Sequence, residues 1–93
     1  MMKTIKLFAT LRDIAQSKEI TVDFTDGQTV AELITTIGEA YPQLRYEIVD
    51  AEGQLTGLVH ILVRGRHIEW LDGLETTIAE TDEVVLLPPS AGG

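Results

Sequence analysis

The sequence predicts an α+β domain in which one long helix lies across a mixed sheet. Three observations carry this reading. Segments with period-two hydrophobicity stand at both ends of the chain. A single long capped amphipathic helix stands between them. The length, 93 residues, suits one domain.

Lys3 to Ala9 alternates, with Ile5, Leu7 and Ala9 on one face and Lys6 and Phe8 on the other, which indicates a strand. Leu11 to Gln16 forms a short helical turn with Leu11, Ile14 and Ala15 on one side. Glu19 to Phe24 alternates again, placing Ile20, Val22 and Phe24 inward, and Asp26-Gly27 marks a turn. These two strands pair antiparallel through the turn that joins them. Thr29-Val30-Ala31-Glu32 then fits the capping box, with Thr29 at the N-cap and Glu32 three residues on. Val30, Leu33, Ile34, Ile37 and Tyr41 follow at helical spacing. Gly38 costs this helix about 1 kcal/mol relative to alanine. Pro42 ends it, because the residue before a proline avoids helical geometry.

Between Pro42 and Val49 only a short helical turn ending near Tyr46 is expected. Asp50-Ala51-Glu52-Gly53 reads as a turn, and Leu58 to Val63 as a well-buried strand. Arg64-Gly65-Arg66 is a tight turn from which His67-Ile68-Glu69 returns as a short strand. Asp72 to Thr76 is a polar loop. Thr81-Asp82-Glu83 turns the chain into a final strand, Val84 to Leu87, which runs into two prolines. The first and last strands become parallel central neighbours. That topology is the β-grasp, or ubiquitin-like, fold. Residues 1–87 form its body and residues 88–93 an extended C-terminal tail.

The tail, Pro88-Pro89-Ser90-Ala91-Gly92-Gly93, is the most unusual stretch of the chain. Glycine makes up about 7% of residues, so a Gly-Gly end arises by chance in roughly 1 chain in 200. Glycine lets a backbone pass where a side chain would clash. The prolines favour an extended, semi-rigid approach. Together they suit insertion of a C-terminal carboxylate into another protein's active site. A frayed end or a cloning remnant is the other reading.

Composition narrows the function. With no cysteine, the chain has no disulfide, thiolate metal site or cysteine nucleophile of its own. The net charge of −8 argues against nucleic acid and favours a basic protein partner. A well-solvated acidic surface accounts for the charge equally well. Lys3 and Lys6 interrupt the first apolar residues, so no signal peptide is read, and no run reaches transmembrane length. A cytoplasmic location with no membrane partner is expected.

Three stretches resemble a known family: Leu7-Phe8-Ala9-Thr10-Leu11-Arg12, Gly73-Leu74-Glu75-Thr76, and Asp82-Glu83-Val84 through Pro88-Pro89 to Gly92-Gly93. Across essentially its whole length the chain is similar to the MoaD/ThiS sulfur carriers. It resembles most the small subunit of molybdopterin synthase and the archaeal-type small ubiquitin-like modifiers. The resemblance implies a protein cosubstrate and not an enzyme. An E1-like adenylating enzyme would use ATP to activate the carboxylate of Gly93, with Gly92 keeping the approach unhindered. A sulfur donor protein would then convert the acyl-adenylate to a thiocarboxylate. The molybdopterin synthase large subunit would take the sulfur in molybdenum cofactor synthesis. Thiamine or tRNA thiolation would use the same chemistry. A modifier would instead be joined through Gly93 to a target lysine. No cofactor is expected on the carrier itself. Many relatives place Asn before the glycine of the central turn, where this chain has Arg64, and Asn tolerates left-handed geometry better.

Docking needs a surface. If Ile5, Leu7, Val84 and Leu86 face inward, then Phe8, Val85 and Leu87 face outward beside Pro88 and Pro89, forming an apolar partner site. The opposite parity would bury them. His60 and His67 read as isolated strand and turn residues, not as metal ligands. Glu80, Asp82 and Glu83 read as solvated turn residues, and Arg12 as a solvated charge, a clamp on the first loop or a partner for a carboxylate on another protein.

Overall fold

The computed structural model describes residues 1–89. Strand β1 (Met2–Leu7) leads into helix α1 (Thr10–Ala15) and strand β2 (Glu19–Asp23). Helices α2 (Val30–Ala40) and α3 (Pro42–Ile48) follow, then strands β3 (His60–Val63), β4 (Arg66–His67) and β5 (Val84–Leu87). The sheet order is β2-β1-β5-β3-β4, with β1 and β5 parallel and the other pairs antiparallel. This is the expected mixed β-grasp sheet, and it sets β5 at its centre. Ile5, Leu7, Ile20, Val22, Ile61, Val63, Val84 and Leu86 bury one face of the sheet. The apolar stripe of α2 packs against them through Val30, Leu33, Ile34 and Ile37.

The start of α2 is the expected capping box. Thr29 Oγ1 accepts from the Glu32 amide at 3.2 Å, and Glu32 Oε1 accepts from the Thr29 amide at 3.0 Å. Near its other end, a Cβ on Gly38 would stand 2.5 Å from Arg45 Cδ. The glycine therefore lets the stem of Arg45 on α3 lie directly across α2.

Several segments differ from expectation. The helical turn after Pro42 continues to Ile48 as α3 and buries Leu44 and Ile48. A proline that stops one helix is also well placed in the first turn of the next. Strand β3 begins only at His60, and Leu58 is exposed rather than buried. Ile68-Glu69 leaves the sheet as a 3₁₀ turn over Ile68–Trp70, because His67 Nδ1 accepts from the Glu69 amide at 3.0 Å and starts that turn. Ala9 does not join Ile5 and Leu7; β1 ends at Leu7, and Ala9 is exposed with a φ of 52°. The loop around Gly73–Glu75 is another 3₁₀ turn. Its Thr76 is buried, accepts from the Asp72 amide at 3.0 Å through Oγ1, and accepts from the Val30 amide at 2.9 Å through its carbonyl. That stretch thus fastens the N-terminus of α2.

The turn from β3 to β4 uses left-handed geometry at both central residues, Arg64 (φ 57°) and Gly65 (φ 77°). Arg64 bears the conformation that Asn adopts more readily. Its guanidinium is held at 2.6 Å by the carboxylate of Asp82.

Candidate functional site

The alternation of β1, β5 and β3 builds an outward sheet face from the side chains that the core does not take. On β5, Val85 and Leu87 are half-buried and point away from α2, between buried Val84 and Leu86. Val85 sits between Lys6 on β1 and Leu62 on β3, and Leu87 lies opposite His60. Phe8 extends the parallel ladder, its amide donating to the Leu86 carbonyl at 3.1 Å, and the residue is 41% exposed. Pro88 is half-buried and Pro89 exposed. Phe8, Val85, Leu87, Pro88 and Pro89 therefore lie together where β5 leaves the sheet. Gly92 and Gly93 lie outside the described residues.

Arg12 belongs to this surface and is not simply solvated. Its Nε donates to the Leu7 carbonyl at 2.7 Å, and its guanidinium stands 4.9 Å from the centre of the Phe8 ring. It ties α1 to the end of β1 and holds Phe8 against the sheet surface.

The structure brings together two further residues that the sequence reading kept apart. His60 and His67 meet edge to face with ring centres 4.8 Å apart. Leu62 pairs with His67 across β3 and β4, so His60 and His67 are diagonal neighbours on one face. Among the described residues no group of three or more His, Cys, Asp and Glu is placed to hold a metal ion. Both rings instead border a groove of about 660 Å³ that Leu55, Leu62, Ile68 and Trp70 also line. Trp70 is 75% exposed. The outward face thus continues from Phe8 through Leu87 and His60 into this groove. Only its strand part follows from period-two counting.

The acidic turn before β5 is more than solvated charge. Asp82 Oδ2 accepts from the Ala79 amide at 2.7 Å and from Arg64 Nη1 at 2.6 Å, and its side chain is 9% exposed. Burial pushes its carboxyl up, but the Ala79 amide and then the Arg64 guanidinium outweigh that and hold it below its ordinary value of 3.8. A carboxylate depressed in the folded state stabilises it above the ordinary value, and that contribution is lost as pH falls through the folded value. Urea unfolding should therefore show an acid-side loss below about pH 4 that Asp82→Asn makes shallower. An identical acid profile in Asp82→Asn would overturn this assignment. Glu83 forms an exposed ion pair with Lys6 at 2.7 Å, whose hydrogen bond and charge raise the lysine's pKa. Glu80 is exposed, and its amide donates to Asp26 Oδ1 at 2.7 Å.

No helix among the described residues is long and apolar enough to cross a membrane. The ThiS family model matches residues 5–93. Small archaeal modifier protein 3 of Haloferax volcanii is 30% identical over 89 residues, 96% of each chain. A putative sulfur carrier protein of Archaeoglobus fulgidus is 34% identical over 65 residues, 70% of this chain and 74% of that one. The crystal structure of small archaeal modifier protein 1 from Haloferax volcanii shares the fold with a TM-score of 0.82 at 29% identity, covering all of both chains. The family match, the length over which these relatives align and the shared sheet lead to one assignment: the chain belongs to the ThiS family of ubiquitin-like sulfur carriers and modifiers.

Proposed function

We propose that this protein carries sulfur as a thiocarboxylate on Gly93. The observation that supports the reading most is the position of β5. It runs between β1 and β3 and hands the chain to Pro88-Pro89 beside the outward apolar face. Partner enzymes would grip Phe8, Val85, Leu87, Pro88 and Pro89 while taking the thin tail into their own active sites. Grip then comes from the surface around the end of β5, and reach from the tail that follows it.

The chemistry follows from the poor electrophilicity of a carboxylate. An E1-like adenylating enzyme directs a carboxylate oxygen of Gly93 to the α-phosphate of ATP, and pyrophosphate leaves. Hydrosulfide released by a donor protein attacks the acyl carbon, the bond from that carbon to the phosphate oxygen breaks, AMP leaves, and loss of the sulfur-bound proton gives the thiocarboxylate. The thiocarboxylate is then delivered to an acceptor. We assign that acceptor to the large subunit of molybdopterin synthase, with this chain as the non-catalytic small subunit. We read the Pro88-Pro89 step before Gly92-Gly93 as favouring this branch over the thiamine carriers.

A second reading draws on the 96% coverage of a protein named as an archaeal modifier. There the activated Gly93 is joined to lysine amines of other proteins. Intact mass of the chain isolated from cells separates the two. Sulfur transfer predicts a species heavier by the difference between sulfur and oxygen, located at the C-terminus. Conjugation predicts the whole chain attached to other proteins. A C-terminus carrying neither change under several growth conditions would refute both.

A further inference from the structure

The two edges of the sheet are finished differently. At one, β4 covers only Arg66–His67 before the chain leaves in the 3₁₀ turn over Ile68–Trp70. At the other, β2 runs for 5 residues, Glu19–Asp23, and pairs with β1 alone. The register of that pair decides which backbone groups β2 leaves over. The Leu7 amide donates to the Lys18 carbonyl at 2.9 Å, and the Phe24 amide donates to the Met1 carbonyl at 2.8 Å. Alternation between those two bonds turns the backbone groups of Ile20 and Val22 toward β1, and those of Glu19, Thr21 and Asp23 away from it. Ser17 engages Glu19: its hydroxyl donates to the Glu19 carbonyl at 2.6 Å and accepts from the Glu19 amide at 3.4 Å. The amides and carbonyls of Thr21 and Asp23 have no partner among the described residues. Two donors and two acceptors therefore stand along an open edge, at the spacing of a strand.

The edge also has room beside it. A groove of about 300 Å³ follows it, between Met2 and Val22 on the sheet and Thr36, Glu39 and Ala40 on α2. Charge selects the occupant. The exposed side chains along β2 are Glu19, Thr21 and Asp23, and Glu39 stands on the opposite wall. A second copy of the chain fits this edge badly. Two β2 strands paired antiparallel about Thr21 would set Glu19 opposite Asp23 twice, and like charges directly opposite are destabilising. The net charge of −8 on each copy adds to the repulsion. A basic strand meets the same carboxylates as favourable cross-strand partners.

We propose that the β2 edge is a second docking site, which takes an extended basic segment of a partner protein as a sixth, antiparallel strand. Lysine or arginine side chains of that segment lie opposite Glu19, Thr21 and Asp23. The alternate residues are apolar and face α2 over Val22 and Ala40. In this pairing the residues opposite Thr21 and Asp23 exchange both backbone hydrogen bonds with them. Main-chain bonds hold the partner, and side-chain charge selects it. The site does not depend on what Gly93 carries. Two strand spacings, about 10 Å, separate β2 from β5, so a partner held here leaves the root of the tail open to an activating enzyme.

The probe is the peptide acetyl-Lys-Val-Lys-Val-Lys-Val-Lys-amide, titrated into the ¹⁵N-labelled full-length chain at about 0.15 M salt, which screens long-range attraction. Saturable shifts of the Thr21 and Asp23 amides are expected, with slowed hydrogen exchange at both. Two methylated peptides of unchanged charge separate edge pairing from general attraction. N-methylation of the lysines sets the methyl groups against β2 and removes the donors, so Kd should rise at least ~10-fold. N-methylation of the valines sets the methyl groups toward solvent and should retain binding. Thr21→Pro should act like the methylated lysines, because proline is tolerated on an edge strand whose N–H faces solvent. Circular dichroism checks the fold of that variant. Equal Kd for the two methylated peptides, or a loss confined to the methylated valines, overturns the proposal. So do shifts centred on Phe8 and Val85 with Thr21 and Asp23 unmoved. A dimer of the chain alone that protects the same two amides assigns the edge to a second copy and overturns it too. Absence of any saturable shift overturns it as well, leaving the β2 carboxylates as guards against edge-to-edge association.

Discussion

Removal of Gly93 is expected to abolish ATP-dependent adenylation, lowering its rate by at least ~100-fold. The shortened chain still ends in a glycine, Gly92, so the reacting group is chemically the same. What changes is reach, because one extended residue retracts the carboxylate by about 3.5 Å. A misplacement of even 1 Å at a reacting centre can cost about 100-fold. The root of the tail is held, because β5 is paired with β1 up to Leu86 and with β3 up to Leu87, and two prolines follow. The measurement is ATP–pyrophosphate exchange with the cognate activating enzyme. Full exchange without Gly93 would sink the carrier reading. Phe8→Asp should act differently. It leaves the tail intact but puts a charge on the exposed apolar face, so it should raise KM for the carrier more than it lowers kcat. A variant that lowered kcat alone would remove Phe8 from the docking surface.

That contrast separates what the two halves of the site do. In the proposed reading the tail supplies an end group and a length, both written in the sequence as Pro88 to Gly93. The docking face is a product of register. Phe8, Val85 and Leu87 follow from alternation along single strands, whereas their neighbours His60 and Leu62 depend on which strand lies beside β5. No local pattern states that β3 pairs with β5 with Leu62 opposite Val85. The meeting of His60 and His67 is of the same kind. It depends on a two-residue turn at Arg64-Gly65 that folds β4 back onto β3.

The fold itself was largely legible for a related reason. Every strand of the central pair β1 and β5 has unbroken alternation, and α2 has both its cap and its apolar stripe. The errors fall where two local signals compete. Pro42 ends α2 and begins α3, and only the burial of Leu44 and Ile48 reveals the second role. Ile68 has the character of a strand residue, but the neighbouring His67 side chain accepts from the Glu69 amide and turns the backbone into a 3₁₀ helix first. Thr76 looks like a solvated loop residue and is instead buried beneath the start of α2.

Removal of Lys3 should cost the most stability among the polar residues. In sequence this lysine is a charge at the edge of an apolar segment, whose natural expectation is solvent. In the structure it lies on the core face of β1, opposite Val22, with its ammonium 4.7 Å from the centre of the Phe24 ring. Three carbonyls of the turn over residues 79–82 surround that ammonium, so a buried cation is satisfied by strong, charge-assisted hydrogen bonds. That turn delivers the chain into β5, and Lys3 fixes it to the first strand across more than seventy residues of sequence. Lys3→Met keeps most of the side-chain volume but withdraws the donor from all three carbonyls. The expected loss is about 3–5 kcal/mol, by analogy with breaking a buried charged partnership. Against a total stability of roughly 5–15 kcal/mol for an ordinary domain, this is a large fraction. Urea unfolding of Lys3→Met beside the wild type gives the number directly. A loss below about 1 kcal/mol, the net worth of an ordinary hydrogen bond, would mean that the turn closes without its cation.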